Sequence, residues 1–147
     1  IKKLLQSYSA VYLLNHSDVD KEICKQLKNE FNSDNRVILI ERELNCLEFN
    51  EVVKQFQFIV ASRFHAIVHA FKNGIPCIAL GWATKYYDLM KQFGQEQYML
   101  DVRHAISEND LLAGICSVME RRDEESHLIQ KKLNELQKQD VFEIIKL

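Results

Sequence analysis

Apolar residues along this chain fall into two alternating patterns. Four short unbroken runs, Ala10–Leu14, Val37–Ile40, Phe58–Ala61 and Cys77–Leu80, show no polar alternation, as expected of strands covered on both faces. Tyr98–Leu100 reads as a last short strand. Between the runs the spacing turns helical. Val19, Ile23, Leu27 and Phe31 recur every four residues behind Asn15 and Ser17 as candidate caps. Phe49, Val52, Val53 and Phe56 mark a second helix. Ile67, Val68, Ala70 and Phe71 mark a third, from Arg63 to Asn73, stopped by Gly74-Ile75-Pro76. Tyr86, Leu89, Met90 and Phe93 form a fourth, closed by Gly94. The tail from Ser107 to Leu147 is helical by pattern, and its charged middle, Glu120 to Ser126, predicts a break or bend into separate helices.

Strands alternating with helices predict βαβ units. The fold class is therefore α/β, a Rossmann-like parallel sheet with helices on both faces. The expected organisation is one such domain over residues 1–106, with a helical tail, 107–147, packed on it. The chain begins at Ile1 inside a helix-like stretch, so it reads as a fragment of a longer protein.

A formal net charge of -2 gives no whole-domain electrostatic case for nucleic acid. No stretch resembles a signal peptide, and no apolar run is long enough to cross a bilayer. Cys24, Cys46, Cys77 and Cys116 form no C-x-x-C pair and read as reduced packing residues of a cytosolic protein.

Ligands in parallel sheets sit at the C-terminal strand ends. Those ends carry Asn15, His16, Ser17 and Asp18; Glu41, Arg42 and Glu43; Ser62, Arg63 and His65; Gly81, Trp82, Thr84 and Lys85; and Asp101 and Arg103. Arg63 and His65 stand where a strand gives way to a helix, a place of unpaired N–H groups and positive dipole. Such a place suits a phosphate or carboxylate. The ordinary alternatives remain open: Arg63 as a surface ion pair, His65 as a helix-start residue bonding local backbone. Lys85 is slightly unfavourable to the dipole of its own helix start, which weakens a purely structural role. Trp82 suits either a sugar or base stack or an ordinary loop position, and Asp18 reads first as a cap. His65 and His69 have metal-ligand spacing, but Ala66 replaces the glutamate of a zinc-protease signature and no third ligand follows, so no metal is expected. No G-x-G-x-x-G, P-loop or serine elbow occurs.

Phe58 to Ala66, Ala70, Gly74-Ile75-Pro76 and Trp82-x-x-Lys85 together resemble the C-terminal half of the polysaccharide pyruvyl transferase family, with its R-x-H-A, G-x-P and aromatic-x-x-K order. The likeness spans Val11 to Asp101. Phe64 stands where leucine is usual and Trp82 where tyrosine is usual. The resemblance implies the C-terminal domain of a glycosyltransferase-B-like enzyme, whose N-terminal domain is its partner and whose first strand lies upstream of Ile1. It implies no cofactor, phosphoenolpyruvate as donor, and a carbohydrate or lipid-linked sugar acceptor that receives pyruvate as a ketal. His65 would then be the catalytic acid, Arg63 and Lys85 the anion-binding cations, and His16, Ser62, Trp82 and Thr84 acceptor or donor contacts. A bacterial cytoplasmic location, at or near the inner membrane face, and a homodimer complete that expectation. The rivals are a nucleotide-sugar-binding domain of a glycosyltransferase or epimerase with the same architecture, and a non-catalytic assembly domain.

Overall fold

The computed structural model describes residues 1–15 and 17–138. The chain is α/β with wholly parallel pairing, and it divides into two compact units, Ile1–Phe49 and Asn50–Leu147. In the first unit, strand β1 (Val11–Leu14) pairs in register with β2 (Val37–Ile40), Val11 opposite Val37. Helix α1 (Asp18–Glu30) connects them, with Asp18 and Asp20 in its first turn, where the positive dipole end favours carboxylates. Leu13, Cys24 and Val37 form this unit's core, with Leu5, Leu27, Phe31 and Leu39 packed around it. The first residues hold only a short 3₁₀ turn, Leu4–Gln6, where the end of a longer helix was expected.

Helix α2 (Cys46–Val53) runs across the division between the units and is capped by Asn45, whose side-chain oxygen accepts the N–H groups of Leu47 and Glu48. The second unit contains β3 (Ile59–Ala61), α3 (Phe64–Lys72), β4 (Cys77–Gly81), α4 (Thr84–Gln92), β5 (Met99–Asp101) and α5 (Glu108–Gln137). Its three strands are ordered β3-β4-β5. The central strand is the most continuously buried, as its unbroken apolar sequence requires. Ile78 within it, and Ile67, Phe71, Met90, Val118 and Ile129 around it, are almost wholly shielded from solvent.

Both glycine stops have a specific geometry. Gly74 has φ +70 and Gly94 φ +67, conformations that a side chain resists. Gly74 N–H donates to the Phe71 carbonyl and Ile75 N–H to that of Ala70; Gly94 and Gln95 repeat the pattern on Lys91 and Met90. Each is a Schellman closure that satisfies the last carbonyls and turns the chain into the next element.

The break expected between Glu120 and Ser126 does not occur: α5 is one helix of 30 residues. The charges that suggested a break are paired instead. Arg121 reaches Glu124 at 3.2 Å and Glu125 at 3.1 Å. Glu125 is buried and accepts hydrogen bonds from Gln95 Nε2 (2.7 Å) and the Tyr98 hydroxyl (2.9 Å). Ser126 Oγ donates to the Gly74 carbonyl at 2.7 Å, fastening α5 to the end of α3. Residues 139–147, the end of the expected tail, lie outside the described residues. Among the described residues, no helix is long and apolar enough to cross a membrane.

Candidate functional site

Parallel pairing decides which loops become neighbours. Ala61 lies opposite Ala79, and Gly81 opposite Asp101, so the segments leaving β3, β4 and β5 emerge along one sheet edge. Adjacent strands lie about 4.8 Å apart, within reach of side chains from neighbouring junctions. Ser62, Arg63 and His65 leave β3, while Trp82, Thr84 and Lys85 leave β4.

The helix starts at these two junctions differ from those of α2 and α5. Asn45 caps α2, and Ser107 Oγ accepts the Asp110 N–H at the start of α5. The N-cap residues of α3 and α4 are Arg63 and Ala83. A guanidinium only donates and a methyl does neither, so neither side chain can accept a first-turn N–H. The second unit thus has two adjacent helix starts whose N-cap side chains make no capping hydrogen bond.

Aromatic rings join them. The Lys85 ammonium lies 5.0 Å from the centre of the Phe64 ring and 5.7 Å from that of Tyr86, within cation–π range. Phe64 is the residue between Arg63 and His65, so the lysine of one junction rests on the other. Phe64 meets Tyr86 edge to face at 5.7 Å, and Trp82 leans on Tyr86 at 4.9 Å. The His65 ring stands edge-on to Phe64 at 6.0 Å. The Tyr86 hydroxyl donates to the Ser62 carbonyl at 3.0 Å. Burial raises the Tyr86 phenol above its ordinary pKa, while the Arg63 charge and the Phe64 backbone N–H pull the other way. The positive charge of Arg63 is therefore felt at the same ring that carries Lys85.

His65, Ser62, Thr84 and Lys85 are exposed and Arg63 is half-buried. Trp82 keeps 44% of its surface exposed although one side packs on Tyr86. His16 lies outside the described residues. His69, one turn beyond His65, is engaged elsewhere: its Nδ1 is 3.2 Å from Asn50 Oδ1, which also accepts from Asn73. Among the described residues, no three His, Cys, Asp or Glu side chains gather as a metal site.

Two other strand-end arginines are already matched. Arg103 chelates Asp101, with Nη2 at 2.5 Å, and this holds the Asp101 carboxyl at about 2. Arg42 pairs with Glu48 at 2.7 Å. Lys85, by contrast, makes no ion pair among the described residues. The cysteines divide similarly: Cys24 and Cys77 are buried, as packing residues should be, but Cys46 is exposed at the start of α2. Phe64 and Tyr86 were missed as site residues. Phe64 read as a motif position where leucine is usual, and Tyr86 as an apolar position at helical spacing.

The family model for polysaccharide pyruvyl transferase matches residues 1–84. The match takes in Arg63, His65, Trp82 and Thr84 and stops one residue short of Lys85. No solved structure matches the chain.

Proposed function

This chain belongs to the polysaccharide pyruvyl transferase family, and on that premise we propose that it forms the donor-binding part of an enzyme that moves pyruvate from phosphoenolpyruvate onto two hydroxyls of a sugar. The acceptor is a cell-surface polysaccharide or its lipid-linked precursor. The full active site lies between this part and an N-terminal Rossmann-like half, in a glycosyltransferase-B-like arrangement in the cytoplasm, and needs no cofactor. One observation carries the reading: Lys85, from the β4–α4 junction, sits over the ring that separates Arg63 from His65.

Phosphoenolpyruvate is doubly anionic and asks for two separated cations. Arg63 offers a planar fork to its carboxylate or phosphate, and Lys85 offers a point charge. His65 delivers a proton to the methylene carbon, which makes the neighbouring carbon cationic. A sugar hydroxyl adds there and releases its proton. The C–O bond to phosphate then breaks, with the leaving group's charge held by Arg63 and Lys85. A second hydroxyl closes the ring and gives up its own proton, leaving ketal and inorganic phosphate. Ser62, Trp82 and Thr84 supply further contacts to donor or acceptor.

The test is phosphate release from phosphoenolpyruvate in the presence of acceptor, with the intact protein. Arg63→Ala is expected to raise the KM for phosphoenolpyruvate by roughly ten- to a hundredfold, the worth of a charge-assisted contact. His65→Ala is expected to lower kcat by at least about a hundredfold. Unchanged activity in both variants, or tight binding of a uridine diphosphate sugar with no response to phosphoenolpyruvate, would overturn the reading.

A further inference from the structure

We propose that Tyr86 is the positioning residue of this anion site: its hydroxyl fastens the end of β3 to the start of α4, and its ring seats the Lys85 ammonium, so that cations from two junctions face one ligand. The inference rests on the donor-site reading above. Packing alone does not account for what Tyr86 does. Its side chain is 1% exposed, and phenylalanine would fill the same volume. The hydroxyl is what distinguishes it, because a buried phenol requires a partner. That partner is the carbonyl of Ser62, at 3.0 Å, immediately before Arg63. The bond therefore sets where the chain stands just before the guanidinium.

The ring does the rest. It is held edge to face by Phe64 and from another side by Trp82. The backbone at Gly81 makes room for it, since a Cβ there would come within 2.7 Å of Tyr86 Cβ. A lysine on a flexible four-carbon stem ordinarily samples many rotamers, and ordering it on binding costs affinity. With its ammonium 5.0 Å from one ring and 5.7 Å from another, Lys85 is already placed before a ligand arrives.

Phosphoenolpyruvate titrated calorimetrically into the intact wild-type protein and its Tyr86→Phe, Tyr86→Leu and Arg63→Ala variants tests this. Trp82, the sole tryptophan of residues 1–147, stands on the Tyr86 ring and responds to the same event in fluorescence. Tyr86→Phe keeps the ring and is expected to bind about tenfold more weakly with an unchanged circular dichroism spectrum. Tyr86→Leu is expected to bind more weakly still. In the unliganded wild-type chain, ring currents should shift the Lys85 ε-methylene protons upfield of the other lysines. Wild-type affinity in Tyr86→Phe, with binding lost in Arg63→Ala, would reduce Tyr86 to a core residue and leave the donor reading standing. Failure of the intact wild-type protein to bind, or undiminished binding by its Arg63→Ala variant, would remove the donor reading and this inference with it. An unshifted Lys85 resonance overturns the seating whether or not the variants fold.

Discussion

Asp101 and Arg103 show how two charges at a candidate cleft can answer each other rather than a ligand. Arg103 donates its backbone N–H, Nε and Nη2 to the Asp101 carboxylate. Side-chain hydrogen bonding by Arg103 is the main reason that carboxyl lies at about 2 instead of 3.8. A depressed carboxyl pKa favours the folded state above the unfolded value, so this contribution is present from about 3.8 upward and fades as pH falls through about 2. Arg103→Gln should return the Asp101 midpoint toward 3.8, read from its carboxyl carbon resonance during acid titration. A midpoint still near 2 in that variant would exclude the guanidinium as the cause. No spacing rule distinguishes this arginine from Arg63. Both follow a strand end by two residues, and only the coordinates reveal that Arg103 has folded back on the carboxylate beside it.

Helix α5 is held by polar anchors as well as by its apolar residues. Glu125 is 1% exposed and takes bonds from Gln95, Tyr98 and Arg121. Truncating it would leave Gln95 Nε2 and the Tyr98 hydroxyl only their longer contacts, to the Gly94 carbonyl and Ser117 Oγ at 3.3 Å each, beside a Gln95 Oε1 that has no partner among the described residues. Glu125→Ala is therefore expected to lower the unfolding free energy by about 3 kcal/mol, and Glu125→Gln by less than half of that, because the amide keeps one acceptor. Urea denaturation measures both, and equal losses would mean that bulk rather than hydrogen bonding matters. The unbroken helix could not be read from sequence, since a run such as Arg121-Arg122-Asp123-Glu124-Glu125 looks like solvated surface until one member proves to be buried. Strand and helix positions, by contrast, were legible almost throughout. Unbroken apolar runs and helical spacing are local signals, and Gly74 and Gly94 closed their helices as glycines at such positions do. The positive helix starts were legible for the same reason. Tyr86 was not, because its role depends on a carbonyl 24 residues earlier.

Each unit of the molecule buries a different amount within itself. The two-stranded unit has a core of Leu13, Cys24 and Val37 with partly covered neighbours, whereas the other has a shielded strand and helices around it. Two strands and a helix are marginal by themselves. Backbone amides of β1 and β2 are thus expected to exchange with deuterium faster than those of β4, and equal protection would contradict that ranking. Arg63 and Ala83 add a final consequence. Helix starts that cannot cap themselves leave part of their stability to whatever anion arrives. An anion that tightened α3 and α4 on binding would surrender that tightening on leaving, so these two helix starts would be at their softest whenever no anion is bound.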